Sequence, residues 1–185
     1  AVVLAGSVFW VAMLIDALQD YASRMAKCGS VTGETGFYQE AVSQFRLYRK
    51  IVCDPQTRLW SQGRGWLQDK PELLSPGAWS RGHGWLIRGM VDTLLYLPRD
   101  SAEYAELQGY LKELADALLA VQQPGGMWHC MLQRPPHASA PEVSGTALIA
   151  GNLALAIDAG FLPSEPYAAA ARKAFAALPA HVDAQ

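Results

Sequence analysis

Residues 79 to 85 place two tryptophans, an arginine and a histidine around two glycines; the four larger side chains are Trp79, Arg81, His83 and Trp85. An indole ring offers a flat apolar face on which a sugar ring can stack. A guanidinium group is a planar fork of donors that fits a carboxylate. Glycine tolerates positive φ angles, so it lets the backbone approach a ligand closely. A ring that carries a carboxylate, such as a uronic acid, would suit this set.

Two further loops resemble this segment in composition. Residues 60–66 read Trp-Ser-Gln-Gly-Arg-Gly-Trp and include Gln62, and a third Gly-rich loop carries Trp128 beside a histidine. An isolated tryptophan most often covers the core, and glycines next to it make turns. Four tryptophans and two arginines within residues 60–85 are dense enough to favour a binding surface instead.

Few side chains in this sequence could act as a general acid or base. Asp16 is the only carboxylate in a strongly apolar stretch, residues 12–18. An ionised carboxylate is costly in such surroundings unless it is paired or lines a cavity, and its protonated form would suit a general acid. Alternatively, Asp16 lies on a solvated helix face together with Gln19 and Asp20. The pattern is compatible with both interpretations.

Composition and motifs argue against several other classes of function. A net charge of −2 gives no sign of a nucleic-acid or membrane partner. The four histidines show no ligand spacing such as HExxH, so we expect no metal. The sequence contains no GxSxG motif, P-loop or dinucleotide-binding fingerprint, so we expect no cofactor.

The elements that must position these residues are predicted to be helices. The 185 residues, 51% of them hydrophobic, suffice for one domain with a core, and we assign residues 1–185 to a single domain. Only residues 127–132 suggest a β-strand. Apolar residues recur at helical spacing over residues 7–28, 37–52, 82–97, 101–122, 143–159 and 166–178.

The connections between these helices alternate in length. Short links follow the first, third and fifth helices, whereas residues 54–79 and 123–142 form long loops rich in Gly, Trp or Pro. Long loops inside a compact domain are usually functional. The alternation predicts an all-α toroid of helical hairpins, with the long loops at one end building one pocket. The chain starts with Ala1 and stops just after the last helix, so we expect a fragment truncated at both ends.

The segment Trp79-Ser-Arg-Gly-His-Gly-Trp85 resembles the W-x-R-G-x-G-W signature of the unsaturated glycuronyl hydrolases. It is most similar to that of the unsaturated rhamnogalacturonyl hydrolases, glycoside hydrolase family 105, which are related to family 88. Residues 54–60, 126–128 and 142–146 resemble further family blocks, and residues 14–16 resemble the segment that carries the family's catalytic aspartate. The resemblance spans nearly the whole chain.

The resemblance implies a partial (α/α)6 barrel and a substrate, an oligosaccharide with a terminal 4,5-unsaturated uronate. Such enzymes hydrate the enol ether instead of displacing a group at the anomeric carbon. The resemblance also implies a bacterial protein, which we expect in the cytoplasm or the periplasm. By resemblance, Asp16 is the general acid/base and Arg81 engages the carboxylate. The remaining substrate contacts are expected from Trp79, Trp85, Trp128, His83 and Gln62. At the position of His83 the family often has Asn, and at the position of Gln62 it often has His.

Two other functions are compatible with these residues. One is a different sugar-active enzyme on the same toroid, a glycosidase or an epimerase, whose substrates lack the double bond. The other is a non-catalytic carbohydrate-binding protein in which Asp16 is a surface charge. In that last case Asp16 would lie far from Trp79, Arg81 and Trp85.

Overall fold

The computed structural model describes residues 13–65, 70–133 and 138–181. Within these residues the chain is built from helices and one short antiparallel ladder. None of the helices found there is both long enough and apolar enough to cross a membrane. In chain order the elements are β1 (Met13–Leu14), α1 (Ala17–Thr32), α2 (Thr35–Val52), β2 (Gly63–Arg64), α3 (Ser80–Leu94), α4 (Ala102–Ala120), α5 (Val143–Asp158) and α6 (Tyr167–Ala177), followed by a 3-10 turn at Leu178–His181.

The helices α2 to α6 form where the apolar spacing predicts them, with ends displaced by three residues or fewer. Local signals set several of these ends. Helix α1 stops at Gly33, whose φ of 77° is left-handed and whose N–H bonds to the Gly29 carbonyl at 2.9 Å. Helix α4 begins after Ser101, whose hydroxyl accepts a hydrogen bond from the Tyr104 N–H at 3.1 Å.

The predicted helix over residues 7–28 is wrong at residues 13–16. Residues 7–12 lie outside the described residues, and Met13–Leu14 pairs with Gly63–Arg64 as a strand. The helix starts only at Ala17, so Asp16 is its N-cap residue and not a mid-helix carboxylate. The cause is a long-range contact: the Ile15 N–H donates to the Gln62 carbonyl at 3.0 Å, which a helical periodicity cannot reveal.

The six helices form three neighbouring hairpins, α1–α2, α3–α4 and α5–α6. Helices α1, α3 and α5 pack side by side in an inner row with α3 in the middle, and α2, α4 and α6 lie along the outside. The inner helices all start at the same end of the molecule, after Asp16, Trp79 and Glu142 respectively. This arrangement agrees with the predicted series of hairpins.

Helix α3 is the most enclosed element because glycines let its neighbours approach. A Cβ at Gly84 would lie 2.5 Å from Leu148 Cβ of α5, and one at Gly89 would lie 2.8 Å from the Gln19 Cα of α1. Gly82 and Gly84 are helical, so their expected role of bringing positive-φ backbone to a ligand is wrong. Gly84 serves helix packing instead, and Gly82 leaves room for the side chains of Gln62 and Ile15.

The long loops meet at the end where the inner helices start. Isolated backbone bridges tie them to one another, and the predicted strand over residues 127–132 is reduced to two of these bridges. The pairs are Cys53 with Trp60, Arg64 with Leu74, Trp79 with Met131 and His129 with Pro141. The loops therefore form one connected layer over the inner helices.

Candidate active site

The carboxylate of Asp16 is held by the side chain of Gln62. The Gln62 Nε2 atom donates a close hydrogen bond to Asp16 Oδ1. Gln62 is 8% exposed and Asp16 is half-buried. The pairing of β1 with β2 brings the two residues together, because it aligns Leu14 with Gly63 immediately beside them. An aspartate and a glutamine 46 positions apart in sequence thus form one unit.

Tyr48 of α2 is a neighbour of this unit that the sequence analysis did not identify. Burial, and then the negative charge of Asp16, raise the pKa of the Tyr48 phenol. Tyr48 stands on the apolar stripe of α2 with Ala41 and Phe45, so its position looked like ordinary core. The one feature of the sequence that could have indicated a role in the site is the Tyr48 hydroxyl, near the C-terminal end of that stripe.

Gln62 is packed directly against the start of α3. A Cβ at Gly82 would collide with Gln62 Oε1 and would lie 3.3 Å from Ile15 Cδ1. The Oε1 atom is buried, and it has no hydrogen-bond partner among the described residues. Gln62 therefore links Asp16 to the residue that follows Arg81 in the sequence.

Arg81 connects the starts of α3 and α5. Its guanidinium carbon lies 4.2 Å from the centre of the Trp79 ring, within the range of a cation–π contact. Its Nη1 atom lies 3.4 Å from the Ser144 hydroxyl and 3.9 Å from a Glu142 carboxylate oxygen. Glu142 is the N-cap of α5, and its side chain accepts from the Gly145 N–H. Arg81 keeps much of its guanidinium exposed.

A pocket of about 580 Å³ lies beside Gln62 and Trp79. Both long loops contribute to its wall, as the toroid prediction requires. The wall is mainly apolar, and Gln62 and Ser75 are the two polar residues that line it. The complete lining is Gln62, Leu73, Leu74, Ser75, Pro76, Gly77, Trp79 and Met131. The aliphatic residues of this wall were not predicted, because Leu73 and Leu74 carry no local motif.

His83 and Trp128, both predicted to bind substrate, are buried structural residues. His83 is fully buried; its Nε2 accepts from the Trp60 N–H at 3.0 Å and its Nδ1 donates to the Trp79 carbonyl at 2.8 Å. Burial lowers the pKa of His83 to about 4. Trp128 is also fully buried, and its Nε1 donates to the Leu118 carbonyl. Neither side chain has a free polar atom to offer a sugar.

Trp85 lies apart from the pocket. It is 36% exposed and stands one helical turn after Arg81 on the same face of α3. Trp66 lies outside the described residues. In the part of the chain that the structure describes, no three His, Cys, Asp or Glu side chains are grouped as metal ligands. The side chains brought together at the site are Asp16, Tyr48, Gln62, Trp79, Arg81 and Ser144.

Comparison with solved structures confirms the predicted fold. A family 105 glycoside hydrolase from C. acetobutylicum superposes with a TM-score of 0.81 at 24% identity, over 94% of this chain and 51% of that one. A possible family 105 member from Salmonella enterica gives a TM-score of 0.77 at 29% identity, over 93% and 45%. The chain thus spans about half the length of these structures. Its hairpins form a partial (α/α)6 toroid.

Comparison at the sequence level adds the family. The unsaturated 3S-rhamnoglycuronyl hydrolase of Formosa agariphila is 29% identical over 119 residues, which is 64% of this chain and 26% of that protein. The sequence profile described as Glycosyl Hydrolase Family 88 matches residues 7–185. That match runs through all six helices and every residue of the site, and the chain therefore belongs to Glycosyl Hydrolase Family 88.

Proposed function

We propose that this protein removes a terminal 4,5-unsaturated uronate from lyase-generated oligosaccharides of the rhamnogalacturonan or pectin type. The observation that carries the proposal is the Asp16 carboxylate, fixed by Gln62 next to a pocket that Trp79 also lines. Family membership supports it, as does the similarity to an unsaturated 3S-rhamnoglycuronyl hydrolase. The grouping also argues against a binding protein in which Asp16 is a distant surface charge.

The reaction is the hydration of an enol ether. The carboxylic acid of Asp16 delivers a proton to C4 of the C4=C5 double bond, and a water molecule adds to C5 as its proton returns to the carboxylate. The product is a hemiketal at C5, which opens to a ketone and leaves a hemiacetal at C1. That hemiacetal collapses to an aldehyde as its bond to the oxygen of the neighbouring sugar breaks, and the neighbouring sugar leaves with its hydroxyl restored. Water attacks C5 and no nucleophile attacks the anomeric carbon, so a second carboxylate is not required as it is in most glycosidases.

Binding of the uronate is assigned to Arg81 and Trp79. Arg81 has donors that Ser144 and Glu142 leave free, and a guanidinium binds a carboxylate through two parallel hydrogen bonds. One face of the Trp79 ring is covered by Arg81, so a sugar would stack on the other face. Trp85 is assigned an outer contact with the substrate, because it is exposed on the Arg81 face of α3.

The test is the loss of the enol-ether absorbance when the full-length enzyme meets unsaturated disaccharides. We expect Asp16→Asn to lower kcat by about 10²- to 10⁴-fold, because the amide cannot deliver the proton. Asp20→Asn is the matched control: Asp20 lies one turn along α1, pairs with Arg24 and is exposed. Its kcat should equal that of the wild type.

Two results would contradict the proposal. Asp16→Asn could retain full activity, in which case Asp16 is not the acid. Alternatively, the enzyme could act equally on oligosaccharides that had never met a lyase, which would indicate an ordinary glycosidase or an epimerase. A panel that varies the sugar after the uronate, rhamnose included, identifies the preferred substrate.

A further inference from the structure

We propose that Gln62 is the positioning residue of Asp16: its amide binds Oδ1 and so fixes Oδ2 as the oxygen that carries the transferable proton. This inference rests on the proposed function, because it assigns Asp16 the role of acid. Among the described residues, no other side chain hydrogen-bonds the Asp16 carboxylate. The orientation of the carboxyl group therefore depends on one amide.

The chemistry of an amide suits this task through the whole reaction. Nε2 is only a donor, so it pairs with Oδ1 when Asp16 is ionised. When Asp16 is protonated on Oδ2, Oδ1 is a carbonyl oxygen and still accepts the same hydrogen bond. The contact thus persists in both protonation states. A histidine at position 62 could change its own charge during the cycle, whereas a glutamine cannot.

The backbone and the start of α3 hold Gln62 in place. Its carbonyl accepts from the N–H of Ile15, the residue before Asp16, so backbone and side chain both join the two segments. On the other side, Gly82 leaves the space that Oε1 occupies. Turning the amide over would put Oε1 against Oδ1, and these two acceptors repel each other whenever Asp16 is ionised or carries its proton on Oδ2. One orientation is therefore selected.

The unpaired Oε1 atom separates a positioning role from a stabilising one. A buried acceptor without a donor lowers stability, and Gln62 Oε1 is such an atom. An apolar side chain of similar shape would remove that unfavourable term together with the hydrogen bond to Asp16. We therefore expect replacement of Gln62 by Met to damage catalysis without lowering the melting temperature. A residue retained for stability would show the opposite.

The principal test uses Gln62→Met in the full-length enzyme. We expect kcat to fall about tenfold to a hundredfold, because a displaced acid group costs rate even at small displacements, while KM changes less than about twofold. Gly82→Ala should reproduce the loss of kcat, since its Cβ displaces Gln62. Gln44→Met is the matched control: Gln44 is 5% exposed and holds the Glu40 carboxylate at 2.8 Å on α2.

The dependence of kcat on pH distinguishes a positioning role of Gln62 from a role in packing, because a change in packing alone would not shift it. In Gln62→Glu, two carboxyl groups share one hydrogen bond and hold one proton more tightly, so the alkaline limb of kcat should move up by about one pH unit. Among the described residues, the titratable groups near Asp16 on the elements packed against it include Tyr48 of α2 and the buried His83 at the start of α3. Both are present in wild type and variant alike, so neither accounts for a difference between the two profiles.

Each outcome decides the question. Unchanged kcat in Gln62→Met, or a change in KM alone, would overturn the positioning role; so would an unshifted profile in Gln62→Glu. If Asp16→Asn is inactive and Gln62→Met is not, only this inference fails. If Asp16→Asn keeps its activity, the proposed function and this inference fail together.

Discussion

Arg81 is bound on two sides and open on a third. Trp79 lies under its guanidinium, and Ser144 and Glu142 stand at 3.4 and 3.9 Å from Nη1. These contacts restrict the side chain without using all five of its N–H donors. Glu142 is itself occupied by the cap of α5, so it neutralises Arg81 only in part. The guanidinium therefore keeps donors for the carboxylate that the proposed function assigns to it.

We expect Arg81→Ala to raise KM for the unsaturated uronate by about tenfold to a hundredfold, the value of a charge-assisted hydrogen bond. Arg81→Lys should recover part of this loss, since an ammonium lacks the bidentate geometry. Steady-state kinetics with the uronate and with its neutral methyl ester measure the effect, and Arg88→Ala, on the same helix, is the control. An equal loss for acid and ester would contradict carboxylate binding.

His83 predicts a stability that depends on pH. Its pKa is about 4 in the folded protein, because burial disfavours the charged ring, against about 6.5 when unfolded. The contribution is complete above pH 6.5 and is lost as the pH falls towards 4, where the unfolded chain binds the extra proton. The difference amounts to about 3 kcal/mol, from 1.36 kcal/mol for each unit of pKa.

Urea midpoints between pH 7 and pH 4 measure this effect. We expect the wild type to lose stability over the window and His83→Gln to show a flatter profile, although it is less stable at pH 7. His181→Gln, at an exposed position, should follow the wild type. Parallel profiles for wild type and His83→Gln would show that the imidazole is not buried and neutral.

At this scale the sequence predicts residue types better than it predicts orientations. The predicted grouping of Asp16, Gln62, Trp79 and Arg81 is present in the structure, and their roles stay predictions. The motif carries no information about which side of a helix faces a cavity. His83 and Arg81 are two positions apart in the first turn of α3, so they lie on different sides of the helix. His83 is buried and Arg81 is exposed.

The element that holds the site together is α3. Gly89 lets α1 approach so closely that an added Cβ would lie 2.8 Å from Gln19 Cα. The contact is with backbone, which cannot turn away as a side chain would. Since Gln19 follows Asp16 by one helical turn, the position of α1 against α3 also determines where Asp16 lies.

We therefore expect Gly89→Ala to destabilise the protein by about 1–3 kcal/mol and to lower kcat as well. Gly109→Ala is the control, because Gly109 is exposed in α4 and an added Cβ meets nothing within 4 Å. That change should be neutral or stabilising by up to about 1 kcal/mol, the helical preference for alanine. Thermal or urea unfolding distinguishes the two, and equal stabilities would refute the close approach of α1.

The helices could be predicted because their apolar periodicity is a local feature of the sequence. The β1–β2 ladder could not be predicted, because it depends on a distant segment. Residues 13–14 are apolar and continue the period of α1, so nothing in their neighbourhood separates strand from helix. Residues 13–14 form a strand because they pair with Gly63–Arg64, about 50 residues downstream. The same long-range pairing moves Asp16 from the middle of a predicted helix to the N-cap position of α1.

At the scale of the molecule, the alternation of short links and long loops was sufficient to predict hairpins with one functional end. It could not tell which row of helices is inner, since both rows are apolar along one stripe. The structure answers this: the inner row is α1, α3 and α5. That the chain belongs to a larger toroid stays a prediction, and it spans about half the length of its structural relatives.

The common orientation of α1, α3 and α5 has an electrostatic consequence. Peptide dipoles add along each helix to about half a positive charge at its N-terminus, and three such ends converge on this site. Asp16 offsets part of that field at α1, and Glu142 offsets part of it at α5 and also at α3, whose first residue, Ser80, donates to the Glu142 carboxylate at 3.5 Å. An anionic sugar is therefore favoured by the backbone as well as by Arg81. Some preference for the free acid over its methyl ester should survive in Arg81→Ala.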